Sequence, residues 1–164
     1  MDKEEAVPEI PKIIHQIWAG EDPLPNVLKE LGKTWKEHHP EWEYRLWNGK
    51  DVRNFIIAYF PEYLDLYHSF YYDIQRWDAI RYLIMYQTGG IYVDLDYECL
   101  KNVESLLAGK SCCFAMEPDI HAQLFNKTMV FNNALMASVP SHSFMKKVIE
   151  KVFAEKIPTY DHTF

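Results

Sequence analysis

The chain has 164 residues, 48% of them hydrophobic and 15% aromatic, with a formal net charge of −7 at pH 7. That length supports one domain, residues 1–164, with a real core, and the composition speaks against disorder except at the ends. The charge, with no basic block, speaks against nucleic acid as a partner. The three cysteines, Cys99, Cys112 and Cys113, are odd in number and form no CxxC pattern, so they read as free thiols of a reducing compartment rather than zinc ligands.

In chain order, residues 1–5 are charged and lack the apolar core of a signal segment. Residues 12–18 read as a first buried strand ending at Trp18, and residues 19–23 as a turn-rich loop. Residues 25–38 read as a helix with Val27, Leu28, Leu31 and Trp35 on one side. Residues 43–47 alternate as a second strand. Asp51 is placed to cap a helix running to Tyr59, and Pro61 to start a short one through Tyr67. The aromatic cluster 67–72 reads as core. Residues 72–87 read as a longer helix, with Ile74, Trp77, Arg81, Ile84 and Met85 near helical spacing and Gly89-Gly90 as its stop. Residues 110–116 and 128–131 are further strand candidates, and 141–153 a closing helix. No segment is long and apolar enough to span a membrane. Strands alternating with helices predict an α/β fold with a mainly parallel sheet, whose ligands bind outside the carboxyl ends of the strands.

The most informative stretch is Gly89-Gly90-Ile91-Tyr92-Val93-Asp94-Leu95-Asp96. As a strand, it puts Asp94 and Asp96 on one face and Leu95 on the other. Two carboxylates at the mouth of a buried strand repel and are costly to desolvate. A divalent cation relieves that cost, and oxygen ligands suit Mg²⁺ or Mn²⁺. The plainer reading is a strand running out into an acidic turn. Asp78 and Arg81, three apart on a helix, share one face. They are either a partly buried salt bridge or a pair facing the same cleft as the two aspartates. Trp18 is either core or a flat surface for a base beside the small Ala19 and Gly20. His15 reads as a satisfied core histidine. Asn132 and Asn133 are candidates for hydrogen bonds to sugar hydroxyls, or for a loop-to-helix cap.

Asp78-x-x-Arg81 followed by Gly89-Gly90-Ile91-Tyr92-x-Asp94-x-Asp96 resembles the sugar-nucleotide signature of the DXD-containing glycosyltransferases. Within that family it is similar to the yeast initiating α-1,6-mannosyltransferase and bacterial capsular polysaccharide transferases, and more distantly to the clostridial glucosylating toxins. The run from Ile10 to Trp18 resembles the family's opening strand. The run from Asn132 to Ala137, with Pro140, His142 and Phe144, is a weaker third match.

The resemblance implies a Rossmann-like, glycosyltransferase A-type fold. It implies metal-dependent transfer of a hexose from a UDP- or GDP-sugar to a saccharide or lipid-linked acceptor, with retention of configuration. Asp96 would chiefly hold Mn²⁺ or Mg²⁺, and Asp94 would contact ribose or sugar and help orient the metal. Asp78 would bind ribose or sugar hydroxyls, Arg81 sugar or phosphate oxygens, and Trp18 the base. Asp94 and Arg81 are thus the catalytic candidates. With no membrane anchor visible, a bacterial-type cytoplasmic protein is expected, with peripheral contact at the inner membrane allowed.

Two alternatives stand beside this. A haloacid-dehalogenase-type phosphohydrolase would use Asp94 as nucleophile, although no later Asp-Asp pair follows. A non-catalytic nucleotide-sugar-binding fragment is the other, because the family's chains continue into a Thr-Gly-Pro segment and this sequence stops at Phe164.

Overall fold

The computed structural model describes residues 8–154. The charged start, 1–5, and the last residues, 155–164, lie outside them, as does the expectation attached to the closing segment.

Two inner strands set the architecture. β1 (Ile13–Ile17) and β3 (Gly90–Val93) pair in parallel, with Ile14 opposite Ile91 and His15 opposite Tyr92. Both are largely buried runs because both faces of the sheet are covered, although β1 carries His15 and Gln16. β2 (Glu43–Trp47) adds in parallel to the outer side of β1. β5 (Phe131–Ser138) runs antiparallel to β3, and β4 (Cys112–Met116) antiparallel to β5. The order β2-β1-β3-β5-β4 gives four strands one direction and reverses only β5. The mainly parallel α/β sheet is therefore present, with an antiparallel insertion that the sequence reading lacked.

α1 (Asn26–His38) covers one face, where Trp35 packs with Ile14, Ile91 and Val93. Its buried stripe runs through Leu28, Leu31, Gly32 and Trp35, while Val27 is exposed, contrary to expectation. A residue one step from a 28-31-35 stripe faces roughly 100° away from it. The other face is covered by α2 (Gly49–Tyr59), α3 (Leu64–Ser69), α4 (Asp73–Thr88) and α7 (Ser143–Val152). Short helices α5 (Glu104–Leu107) and α6 (Asp119–Leu124) flank β4. The cap of α2 is Asn48, not Asp51. Asn48 Oδ1 accepts the Asp51 amide at 2.9 Å, and Asp51 returns the bond from the third helical position, a reciprocal box that satisfies two free amides. In the aromatic cluster, Tyr67 and Phe70 are core, whereas Tyr71 and Tyr72 are exposed. Ile74 is likewise exposed, outside the buried face of α4.

Gly89-Gly90 is dictated by packing as well as by helix termination. Both residues have positive φ, which L side chains rarely adopt. A Cβ on Gly90 would lie 2.5 Å from the Ile13 carbonyl oxygen, so β3 reaches its place beside β1 only as glycine.

His15 is fully buried, as expected of a core histidine. It contacts the Gly89 carbonyl at 3.0 Å and accepts from the Trp47 indole at 3.1 Å. Burial pushes its pKa down to about 4, against the pull of the Gly89 carbonyl. Between pH 6.5 and 4 the unfolded chain therefore binds a proton that the folded chain refuses, so stability falls as pH falls through that window. The loss attributable to this residue is on the order of 3 kcal/mol. Urea titrations at stepped pH should show a shallower acid dependence in His15→Gln; an unchanged slope would remove His15 as its source.

Candidate functional site

β2 and β3 leave β1 on opposite sides, so the chain reverses its direction of winding there. In an open α/β sheet the crevice outside the carboxyl ends of such strands is where ligands bind. Trp18 follows β1 and Asp94 follows β3 at that edge.

Three segments meet there around one guanidinium. Arg81, on α4, is only 4% exposed, and its Nη2 lies 2.5 Å from Asp78 Oδ1. Its Nη1 lies 3.2 Å from Asp94 Oδ1 and donates to the Asn133 carbonyl of β5 at 2.9 Å. The guanidinium carbon sits 4.5 Å from the centre of the Tyr92 ring, a cation–π contact. Tyr92 donates its hydroxyl to Asp94 Oδ1 at 2.6 Å. Burial pushes the Tyr92 hydroxyl far above its ordinary pKa and keeps it a donor. The salt bridge is present and reaches further than the helix pair: Arg81 ties Asp78 to Asp94. Burial also raises the Asp78 carboxyl, and Arg81 pulls it back. Its side chain nevertheless stays 44% exposed, open to a ligand.

The two aspartates do not alternate on a strand. β3 ends at Val93, the Asp94 amide donates to the Ala134 carbonyl, and a turn follows in which the Tyr97 amide reaches the Asp94 carbonyl. The chain turns because β3's ladder with β5 ends there and Leu95 folds back into the protein. Asp94 is half-buried, its Oδ1 used by Arg81 and Tyr92; Asp96 is exposed and makes no ion pair among the described residues. No group of three His, Cys, Asp or Glu side chains is gathered among the described residues. Asp94 and Asp96 alone could hold a hard cation only with oxygen ligands from outside the protein.

Asn132 and Asn133 lie in β5, so neither caps a helix; that position before α7 belongs to His142, which accepts from the Phe144 amide at 3.2 Å. Asn133 donates from Nδ2 to the Tyr82 hydroxyl at 3.0 Å. Asn132 is near Tyr97 and Glu117, and its Oδ1 is buried with no partner among the described residues. Trp18 stands apart from the Arg81 cluster. It is half-buried, its indole donating to the Asp22 carbonyl at 2.7 Å and lying 3.9 Å from the space beside Gly20. Beyond Asn133 opens a cavity of about 730 Å³ lined by Tyr82, Lys110, Phe131, His142 and Phe144.

Residue reading missed Tyr92, Tyr82 and Gln16. Gln16 is fully buried, accepts from Tyr44 at 2.5 Å and donates to the Asp94 carbonyl at 3.2 Å, which fixes the turn from below. A glutamine inside an apolar strand is the signal that was available, since a buried amide needs partners.

The family described as a glycosyltransferase sugar-binding region containing a DXD motif matches residues 25–114, a span that includes Asp78, Arg81, Asp94 and Asp96. The chain belongs to this family. It is 33% identical over 145 residues to inositol phosphoceramide mannosyltransferase 2 of Schizosaccharomyces pombe, covering 88% of this chain and 39% of that protein. It is 35% identical over 143 residues to mannosyl phosphorylinositol ceramide synthase SUR1 of Saccharomyces cerevisiae, covering 87% of this chain and 35% of that one. The chain therefore spans less than half the length of these relatives. Among solved structures, the PaToxG glycosyltransferase superposes with a TM-score of 0.65 at 17% identity, over 86% of this chain and 59% of that chain. This likeness carries the glycosyltransferase A-type fold. The phosphohydrolase alternative falls with the family assignment, and Asp94 Oδ1 is already held by Arg81 and Tyr92.

Proposed function

We propose that the site binds a nucleoside-diphosphate hexose with a divalent cation and transfers the hexose, with retention, to an anionic glycolipid precursor or a glycan. Mannose is the favoured sugar and a phosphoinositol-bearing lipid the favoured acceptor, because the relatives' names carry both. The observation that carries the reading is the Arg81 bridge. A buried cation held between Asp78 and Asp94, with Asp96 exposed two residues further on and in no ion pair among the described residues, is a costly arrangement that an anionic, hydroxyl-rich ligand would use.

On this reading Asp96 and the second carboxylate oxygen of Asp94 would hold Mn²⁺ or Mg²⁺, which would supply Lewis-acid stabilisation for charge on the departing diphosphate. Arg81 adds a fixed positive charge close to the sugar or its phosphate, and its planar fork keeps both aspartates oriented. Asp78 accepts from ribose or sugar hydroxyls through its exposed oxygen. Asn132 Oδ1, buried and without a partner among the described residues, is a candidate acceptor for a sugar hydroxyl. The acceptor enters through the cavity beyond Asn133. Among the described residues none is assigned as a carboxylate nucleophile, so front-face attack, with the leaving phosphate taking the proton, is the route that would give retention.

Trp18 would stack the base. Trp18→Leu keeps an apolar side chain but loses the ring, and stacking is worth roughly 1–3 kcal/mol. Affinity for free GDP should fall about tenfold or more, with metal binding retained. Equal GDP affinity in both proteins would return Trp18 to a packing role.

The test of function uses GDP-mannose labelled in the sugar, with Mn²⁺ or with chelator. Its arms offer a phosphoinositol ceramide, a mannose oligosaccharide, or water alone. Metal-dependent transfer to the lipid, or slow metal-dependent hydrolysis with water alone, is expected. Donor binding with no labelled sugar released in any arm would favour the non-catalytic fragment.

A further inference from the structure

Residues 116–131 leave the sheet and return to it. Met116 and Phe131 pair across β4 and β5 at the base, closed by a 2.8 Å bond from the Glu117 amide to the Val130 carbonyl. This excursion exposes Met116, Ile120, Leu124, Phe125, Met129 and Phe131. Its helix α6 is inverted. Ala122 is 2% exposed and packs inward, while Ile120 and Leu124, one turn apart on the opposite side, are 64% and 76% exposed. Phe144 of α7 extends the surface, its ring 5.6 Å from that of Phe114 on β4. A soluble surface rarely gathers this much apolar area without a use.

Around it, residues 110–152 carry five lysines and three acids, in a protein of formal net charge −7; within 116–131 itself Lys127 stands with Glu117 and the exposed Asp119. Lys127 lies within the excursion and Lys110 lines the cavity beside Phe131 and Phe144. Lys147 and Lys151 fall on the same stripe of α7 as Phe144. None of these four forms an ion pair among the described residues, whereas Glu117 is paired with His121 at 2.7 Å. Protein interfaces are enriched in Phe, Met, Tyr, Trp and Arg but depleted in lysine, so the lysines rather than the apolar tips separate this face from a protein interface. Leu, Ile, Met and Phe tips among unpaired lysines match a surface that lies in a bilayer interface.

We propose that this excursion docks the protein onto an anionic membrane. The inference rests on the lipid-acceptor reading above and adds where the bilayer sits. The excursion returns into β5 at Phe131, directly before Asn132 and Asn133, whose backbone holds Arg81. Insertion of its apolar tips would bring the cavity mouth to headgroup depth, so that an acceptor headgroup reaches the site without leaving the membrane.

The test is flotation of the 164-residue chain with vesicles of phosphatidylcholine alone, or with about a third phosphatidylinositol. Binding to the anionic vesicles that weakens with salt is expected. The double variant Leu124→Ser/Phe125→Ser should lose about tenfold or more of that binding, because each side chain withdraws a large apolar area. Lys127→Glu should weaken binding to anionic vesicles alone. GDP-mannose affinity, measured without vesicles, should be the same in all variants. No vesicle binding, or equal binding by wild type and variants, would overturn the proposal while donor affinity left the function reading intact. Wild-type self-association abolished by the double variant would also overturn it, assigning the face to a second copy. Absence of donor binding with normal vesicle binding would count against the function reading instead.

Discussion

Arg81→Ala is expected to lower the thermal midpoint by roughly 10 °C and to abolish donor binding in the same variant. The guanidinium is buried and satisfies Asp78, Asp94 and the Asn133 carbonyl at once. Its removal leaves two carboxylates facing each other without the cation that offsets them. Breaking one partner out of a buried ion pair costs about 3–5 kcal/mol, which a domain of this size registers as several degrees per two kcal/mol. Arg81→Lys separates the two contributions. It restores the charge but not the fork, so stability should recover in part while donor affinity stays at least about tenfold weaker. Calorimetric scans and donor titrations on both variants read this directly. A lysine variant with wild-type donor affinity would confine Arg81 to a structural role.

Asp96→Asn is expected to behave in the opposite way. Asp96 is exposed and unpaired among the described residues, so its charge supports nothing in the fold that the structure shows. The amide preserves shape and removes the charge that a hard cation requires. Metal-dependent nucleotide affinity should fall at least about a hundredfold, or about 2.7 kcal/mol, with the midpoint within about a degree or two of wild type. Titration of GDP with and without Mn²⁺ is the measurement. Unchanged metal-dependent affinity would remove Asp96 from the site; a large fall in midpoint would assign it a structural role.

The contrast between these two residues shows what the sequence makes legible. Helical spacing was enough to pair Asp78 with Arg81, and the apolar run into Asp94 was enough to locate a strand end at the sheet's edge. The β2-β1-β3 half was readable because its strands are short apolar or alternating runs bounded by turn residues. β5 was not. Residues 132–138 contain no β-branched side chain, and Asn-Asn reads as a cap or turn. That segment is a strand because β3 and β4 each offer it an unpaired edge, a tertiary fact that overrides propensity. The same fact hid the contribution of Asn133, whose backbone carbonyl, rather than its amide, reaches Arg81. The expectation that Asp94 and Asp96 alternate along a strand fails because β3 ends at Val93 and a turn closed by the Tyr97 amide on the Asp94 carbonyl follows.

The Asp94–Asp96 turn and the Arg81 bridge together are proposed as one metal-dependent nucleotide-sugar site. It is tested most directly by isothermal titration of the unmodified chain with GDP-mannose and UDP-glucose, each with Mn²⁺ and with chelator. Binding of one nucleotide class in the micromolar to millimolar range, about 4–8 kcal/mol, and its loss with chelator, is the predicted result. No binding of either sugar nucleotide with Mn²⁺ present, or binding of equal strength after chelation, would contradict it.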